Sequence, residues 1–274
     1  MNLDAVKQFK VLVVGDAIYD HYVFGAPLGK SIKETCISVK HEREETYKGG
    51  VWAGASHLTD FCAQVDVLHG GRAMVNTRYL EPVYNRKLFS VHREQEELND
   101  ADPDIGSYDC VIVCDFGHGT LTDKLIERVS KEARFLAVNA QTNSQNYGFN
   151  YITKFRRADY VVIDELEARL AAHDKHSPIE DVVLALGFKK IIVTLGANGA
   201  IGFDGAFHRE KAMADKITDT MGCGDAFLCV SAPFAAARFS MKELVRIGNV
   251  AGAIKAGILG HRNHVTKDEL ERNL

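Results

Sequence analysis

The sequence predicts an α/β fold built on a mostly parallel central sheet flanked by helices on both faces, and three observations carry that reading. Short β-like runs alternate with amphipathic helix-like runs through most of the 274 residues. The strand-like runs are apolar on successive residues, as strands buried on both faces must be. Towards the C-terminal end, Asp219-Thr220-Met221-Gly222-Cys223-Gly224-Asp225 leads straight into a helix-like run. A tight amide-rich turn at a helix start favours an anion, because unpaired N–H groups and the helix dipole both point at it.

Taken in order, the first strand falls at 10–14 and ends in Gly15-Asp16, with Asp20 just beyond. Gly49-Gly50 precedes a helix at 53–61, and further strands fall at 65–68, 110–114, 135–138, 160–163 and 190–194. A hairpin, 200–203 and 206–209, turns at Asp204-Gly205. Helices at 224–238, 241–259 and from 267 onward close the chain. Two segments, 21–45 and 73–94, break the alternation: they are polar and extended, as in Cys36-Ile37-Ser38-Val39-Lys40-His41. Their period of two fits a sheet with one wet face, and structureless loops of that length are uncommon.

On length alone, 274 residues can bury a substantial single core, and one large α/β domain is as plausible as two; the pattern along the chain is read as a single domain over 1–274. Hydrophobic residues make up 46% and charged residues 26% of the chain, ordinary globular values. A net charge of -4 argues against a nucleic-acid partner. No segment has the pattern of a signal peptide or a membrane span, so a cytoplasmic location is expected. The six cysteines occupy apolar settings without zinc-type spacing, which reads as reduced thiols. Cys110 and Cys114 should face the core. Cys223, at a helix start, is expected to have a lowered pKa and to be oxidation-sensitive.

The ordered set of Val11-Leu12-Val13-Val14-Gly15-Asp16, Asp20, Gly49-Gly50, Asp164-Glu165-Leu166-Glu167, Ile191 through Gly196 with Asn198-Gly199-Ala200, and the 219–225 turn resembles the ribokinase (PfkB-type) family of sugar kinases over nearly the whole chain. The family signature D-T-x-G-A-G-D is matched except that Cys223 stands where Ala is usual. Asp20-His21-Tyr22, the charged run to Glu45 and Cys114-Asp115-Phe116-Gly117-His118-Gly119 are similar to kinase domains acting on heptose 7-phosphate in ADP-heptose synthesis. The resemblance implies a ribokinase-like fold in which the two extended segments form a small β lid over the sugar site. It also implies dimer formation through that lid. Relatives carry another strand and helix where this chain passes almost directly from Val65-Asp66-Val67-Leu68-His69 into Gly70-Gly71-Arg72, so the sheet is expected to be shortened.

By the same resemblance, the amides of Gly222, Cys223, Gly224 and Asp225 line an anion hole, and the Asp225 carboxylate is the base that takes a sugar hydroxyl's proton. An ordinary Asp pKa suffices for that role. The plainer alternative is an N-capping Asp. Asp20, at the carboxyl edge of the sheet, is placed to accept hydrogen bonds from sugar hydroxyls, with Asp16 ranked second because it can instead hold the turn. Gly49 and Gly50 allow close backbone approach. The family's Asn that contacts the sugar is replaced by Gly54.

Glu167 matches the residue that organises Mg²⁺, with Asp164 in place of the family's Asn; Asp164-x-x-Glu167 also fits a capping box. Thr194, Gly196 and Gly199 resemble the nucleotide-side loop, and Asn249 lies where relatives flank adenine. No P-loop or dinucleotide fingerprint occurs. ATP and Mg²⁺ are the implied cofactors. Arg78, Arg86, Lys87 and Arg93 are candidates for a distal phosphate, against the alternative of solvated charges on an exposed ribbon. The amide-rich run Asn143-Ser144-Gln145-Asn146 is a candidate for reading a sugar by hydrogen bonding.

The expected activity is ATP-dependent phosphorylation of a sugar or sugar phosphate, in nucleotide-sugar or surface-polysaccharide synthesis. Two rivals stand beside it: a kinase-like domain that binds without turnover and partners a nucleotidyltransferase, and a kinase of a nucleoside or vitamin precursor.

Overall fold

The computed structural model describes residues 1–84, 86–97, 101–214 and 217–274. β1 (Lys10–Gly15) is followed by two long strands, β2 (Ala17–Lys30) and β3 (Ile37–Gly50), and the short helix α1 (Val51–Ser56). β4 (Gln64–Leu68), β5 (Arg72–Leu80) and β6 (Lys87–Glu96) come next. Then β7 (Cys110–Asp115), α2 (Asp123–Glu132), β8 (Leu136–Ala140), β9 (Tyr160–Asp164), α3 (Glu165–Ala172), α4 (Ile179–Leu186) and β10 (Ile191–Thr194) alternate. The antiparallel pair β11 (Ala200–Phe203) and β12 (Phe207–Glu210) precedes α5 (Cys223–Ala236), α6 (Met241–Ala256) and α7 (Lys267–Asn273).

The eight-stranded main sheet runs β12-β11-β10-β9-β8-β7-β1-β4. It is parallel from β4 to β10 and antiparallel at the β11–β12 edge. Alternate residues of its strands enter two different cores, which is why the strands read as unbroken apolar runs. Val11, Val13, Cys110, Ile112 and Cys114 pack with α1, α5 and α6 on one face. Leu12, Val14, Val111 and Val113 pack with α2, α3 and α4 on the other. Helices therefore cover both faces, as the alternation requires.

The second sheet, β3-β2-β5-β6, is the extended pair of segments the sequence set apart. Within the second of them, residue 85 lies outside the described residues. β2 pairs antiparallel with β3 and parallel with β5, and its first residues continue almost directly from β1. That continuity hangs the small sheet off the carboxyl edge of the large one. β5 begins at Arg72, directly after β4 and His69-Gly70-Gly71.

Some boundaries differ from the sequence reading. α1 starts earlier than expected and ends at Ser56; the residues to Phe61 continue as turns, with Leu58 and Phe61 amides bonded three residues back. Cys110 and Cys114 are fully buried, and Cys114 Sγ lies 3.9 Å from Cys229 Sγ. Cys36 departs from the expected apolar setting and is exposed. Among the described residues no helix is long and apolar enough to cross a membrane.

Candidate active site

A cleft of about 910 Å³ opens at the carboxyl ends of β8, β9 and β10, where open α/β sheets bind ligands. Its wall gathers the 222–225 turn, Asp164 and Glu167, the loop from Thr194 through Gly196 to Gly199, and Asn249. Ten residues singled out in the sequence thus share one cavity: Asp225, Gly222, Cys223, Gly224, Thr194, Gly196, Gly199, Asn249, Glu167 and Asp164. Asp20, Asp16, Gly49 and Gly50 stand apart from that wall, at the junction of the two sheets.

Gly222 occupies the N-cap of α5 with φ 75°, a left-handed conformation that glycine adopts without a Cβ penalty. No side chain caps this helix, so its first amides are not satisfied by a capping group. The Cys223 amide makes only a long bond, 3.4 Å, to the Thr220 carbonyl. Asp225, in the first turn, is 6% exposed and accepts a hydrogen bond from Gln141 Nε2 at 2.5 Å. Burial raises its pKa above the usual carboxylate range, against the pull of His261, Gln141 and Lys255. An ordinary Asp pKa would suffice for a base, and a raised one makes the carboxylate a better proton acceptor.

Cys223 also departs from expectation. Burial pushes its thiol up to about 11, outweighing the opposing pull of Lys255. A helix start alone does not activate a thiol that has lost its water.

Asp164 and Glu167 form a complete capping box on α3: the Glu167 amide donates to Asp164 Oδ1, and Glu167 Oε2 accepts from the Asp164 amide. Glu167 Oε1 also accepts from the Thr142 amide at 2.9 Å. Despite these bonds, burial and the neighbouring Asp164 charge push the Glu167 carboxyl up to about 8. Beside the pair, Asn139 Oδ1 and Thr142 Oγ1 are buried without a hydrogen-bond partner and border the same cleft. One buried carboxylate, Glu167, and one exposed carboxylate, Asp164, beside two unsatisfied oxygens fit a hard, hydrated cation, although no cluster of three or more His, Cys, Asp or Glu converges among the described residues.

The Glu167 shift has a testable sign. A raised folded-state pKa means that stability is full below the ordinary 4.5 and is lost as pH rises through about 8. Between about pH 6 and about pH 9 the ligand-free protein should lose melting temperature, and Glu167→Gln should flatten that slope. Parallel slopes for wild type and variant would refute the assignment.

At the junction of the two sheets, Asp20 is 2% exposed. Arg78, from β5, bonds Asp20 Oδ1, and His261 Nε2 lies 3.1 Å from Oδ2. Burial alone would raise the Asp20 pKa, but His261 and Arg78 outweigh it and hold the carboxyl below its usual value. A Cβ at Gly49 would lie 2.4 Å from Asp20 Oδ2, so glycine here makes room for the carboxylate and the His261 ring. The same ring lies 3.2 Å from where a Cβ of Gly222 would stand. One imidazole therefore bridges Asp20 and the anion turn. A side chain at Gly54 would meet Cys229 and Cys114 sulfurs in the core, so the position that carries Asn in relatives does not face this junction.

Asp16 holds the turn. Its carboxylate accepts the amides of Phe116, His118 and Thr120 and fixes the loop after β7. Two of the amide side chains expected to read a sugar are similarly engaged: Asn143 and Asn146 donate to the Phe116 carbonyl. Asn249 Nδ2 donates to the Glu210 and Lys211 carbonyls and ties that strand end to α6. Of the four basic candidates only Arg78 is drawn inward; Arg86, Lys87 and Arg93 are exposed.

Gln141, His261 and Lys255 were not legible as site residues. Only Gly260-His261-Arg262-Asn263-His264, a polar Gly-led break after an apolar helix, carried a local signal.

A helix-start turn carrying a buried carboxylate thus shares one cleft with Asp164 and Glu167, an arrangement suited to phosphoryl transfer. The chain belongs to the pfkB family of carbohydrate kinases, whose model matches residues 72–267. It is 22% identical to the bifunctional protein HldE of Campylobacter curvus, over 93% of this chain and 63% of that protein. It is 24% identical to HldE of Nitratiruptor sp., over 96% and 64%. The chain thus spans a little under two thirds of the length of these curated relatives. Among solved structures, a ribokinase from Thermotoga maritima superposes with a TM-score of 0.74 at 16% identity, covering 96% of this chain and 98% of that one. Ribokinase from Arabidopsis thaliana complexed with ribose and ATP gives 0.71 at 14% identity, covering 97% and 98%.

Proposed function

We propose that this carbohydrate kinase transfers the γ-phosphoryl group of ATP to a hydroxyl of a sugar or sugar phosphate, with a heptose phosphate as the leading substrate. One observation carries the reading: Asp225, the 222–224 amides, the Asp164–Glu167 pair and the 194–199 loop share a cleft whose anion turn touches, through His261, the Asp20 junction. ATP lies in the cleft with its phosphates towards the α5 start, and the sugar lies between Asp20 and Asp225. Asp225 accepts the hydroxyl proton as the oxygen–phosphorus bond forms and the bond to ADP breaks. The amides of Gly222, Cys223 and Gly224 bind the charge on the moving group. Mg²⁺, held near Glu167 and Asp164 with Asn139 and Thr142 in reach, neutralises phosphate charge when bound.

Residues 1–274 act as one kinase domain with lid segments around 21–45 and 73–94, in the cytoplasm. The lid carries exposed apolar side chains, among them Leu88, Phe89 and Val91, which supports pairing of two copies through it. The likeness to HldE supports the heptose-phosphate substrate and a nucleotidyltransferase as fused or separate partner. A screen of sugars and sugar phosphates for ATP consumption tests the whole reading. Silence across a screen that includes heptose phosphates would reject it.

A second reading, binding without turnover, draws on the ion pairs of Asp20, both of whose oxygens are already engaged. It predicts nucleotide or sugar binding with no product.

If the substrate carries a distal phosphate, one of Arg78, Arg86, Lys87 and Arg93 reads it. Ala at that position should weaken phosphosugar binding by about 1.5–3 kcal/mol more than binding of the free sugar. Unchanged preference in all four variants would mean that these cations do not contact a phosphate.

A further inference from the structure

Lys255 is fully buried, at 0% exposed, in the last turn of α6. Its ammonium donates to the carbonyls of Met221 at 2.7 Å and Gly260 at 2.8 Å, and its stem comes within 3.3 Å of where a Cβ of Gly222 would stand. Asp219 completes the arrangement, accepting the Met221 amide at 3.0 Å and the Gly260 amide at 2.9 Å. The Thr218 and Asp219 amides both donate to the Ala256 carbonyl. The approach to the anion turn is thus lashed to the end of α6 by backbone bonds, with a single cation at the centre. A buried ammonium is costly unless its protons are hydrogen-bonded, and here two backbone carbonyls accept from it.

The consequence lies in the Met221–Gly222 peptide. A trans peptide is planar, with its C=O and N–H pointing in opposite directions. Holding the Met221 oxygen on the ammonium therefore turns the Gly222 N–H away from Lys255.

We propose that Lys255 is a tethered monovalent cation that positions the anion turn, a task a free potassium or ammonium ion would otherwise perform between these carbonyls. It is a positioning residue, and the inference rests on the reading of 222–224 as the anion site. Potassium, like an ammonium group, is well held by backbone carbonyls, so the role is transferable to an ion once the side chain is removed.

The test uses the purified protein in potassium, ammonium or choline chloride at equal ionic strength. Calorimetry with a non-hydrolysable ATP analogue is combined with melting temperature. Wild type should bind alike in all three salts. Lys255→Ala, which opens a space, should lose affinity about ten- to a hundredfold in choline and recover it in potassium or ammonium. Lys255→Met, which fills the space, should not recover. A potassium-dependent wild type, an Ala variant without loss, or an Ala variant with a loss that neither ion relieves would each overturn the proposal. If wild type binds no nucleotide, the kinase reading fails separately. The melting temperature of Lys255→Ala then decides, since potassium must raise it while leaving wild type unchanged. If Lys255→Ala does not fold in choline, folding restored by potassium supports the proposal, and failure in both salts overturns it.

Discussion

Asp225→Asn should lower turnover by about two to four decades while leaving the fold and nucleotide binding near wild type. Asn matches Asp in size, so the first turn of α5 is undisturbed and a polar contact to Gln141 is retained with the amide reoriented. What disappears is the proton acceptor. Nucleotide affinity should hold or rise slightly, because a buried negative charge beside the phosphates is removed. The check is steady-state turnover on the best substrate of the screen, with calorimetry for ATP alongside. Turnover like wild type would refute the assignment of the base. A wild type silent with every substrate would instead favour the binding-only reading.

Asp20→Ala should lower sugar affinity by about two to four decades, since two charge-assisted hydrogen bonds of about 1.5–3 kcal/mol each are at stake, with ATP affinity little changed. The structure adds a cost that the sequence did not show. Removing the carboxylate leaves Arg78, 14% exposed at its side chain, and His261 without their partner. Breaking a buried pair costs about 3–5 kcal/mol, so the melting temperature must fall as well. Asp20→Asn, which keeps hydrogen-bonding atoms in place, separates the two effects. Equal losses for both ligands in both variants would indicate a folding defect, and undiminished sugar binding in a folded variant would sink the assignment.

The central strands were legible because each is buried on two faces, so that Val11–Val14 or Ile191–Val193 shows no polar interruption. The 219–225 turn was legible because its residues are contiguous, so that a local motif specifies its backbone. The capping box on α3 was visible for the same reason: its donors and acceptors lie three residues apart. The lid segments announced themselves by alternation, and their pairing followed once β2 lay beside both β3 and β5.

Other features depended on distance in the chain. Arg78 reaches Asp20 only because the parallel β2–β5 register sets Tyr22 opposite Arg78 and Asp20 opposite Asn76. His261 and Lys255 arrive from the end of α6, and Gln141 from the end of β8, none with a local pattern that marks it. Desolvation decided the titrations: it raised Asp225, Glu167 and Cys223 together, whereas a sequence shows only charges and a helix start. The sequence by itself determined the layers, the anion turn and the carboxylates on offer, because these are properties of contiguous residues. The tertiary structure alone decided which side chains converge on Asp20 and Asp225 and how strongly each is deprived of water, because burial and long-range pairing belong to the assembled chain.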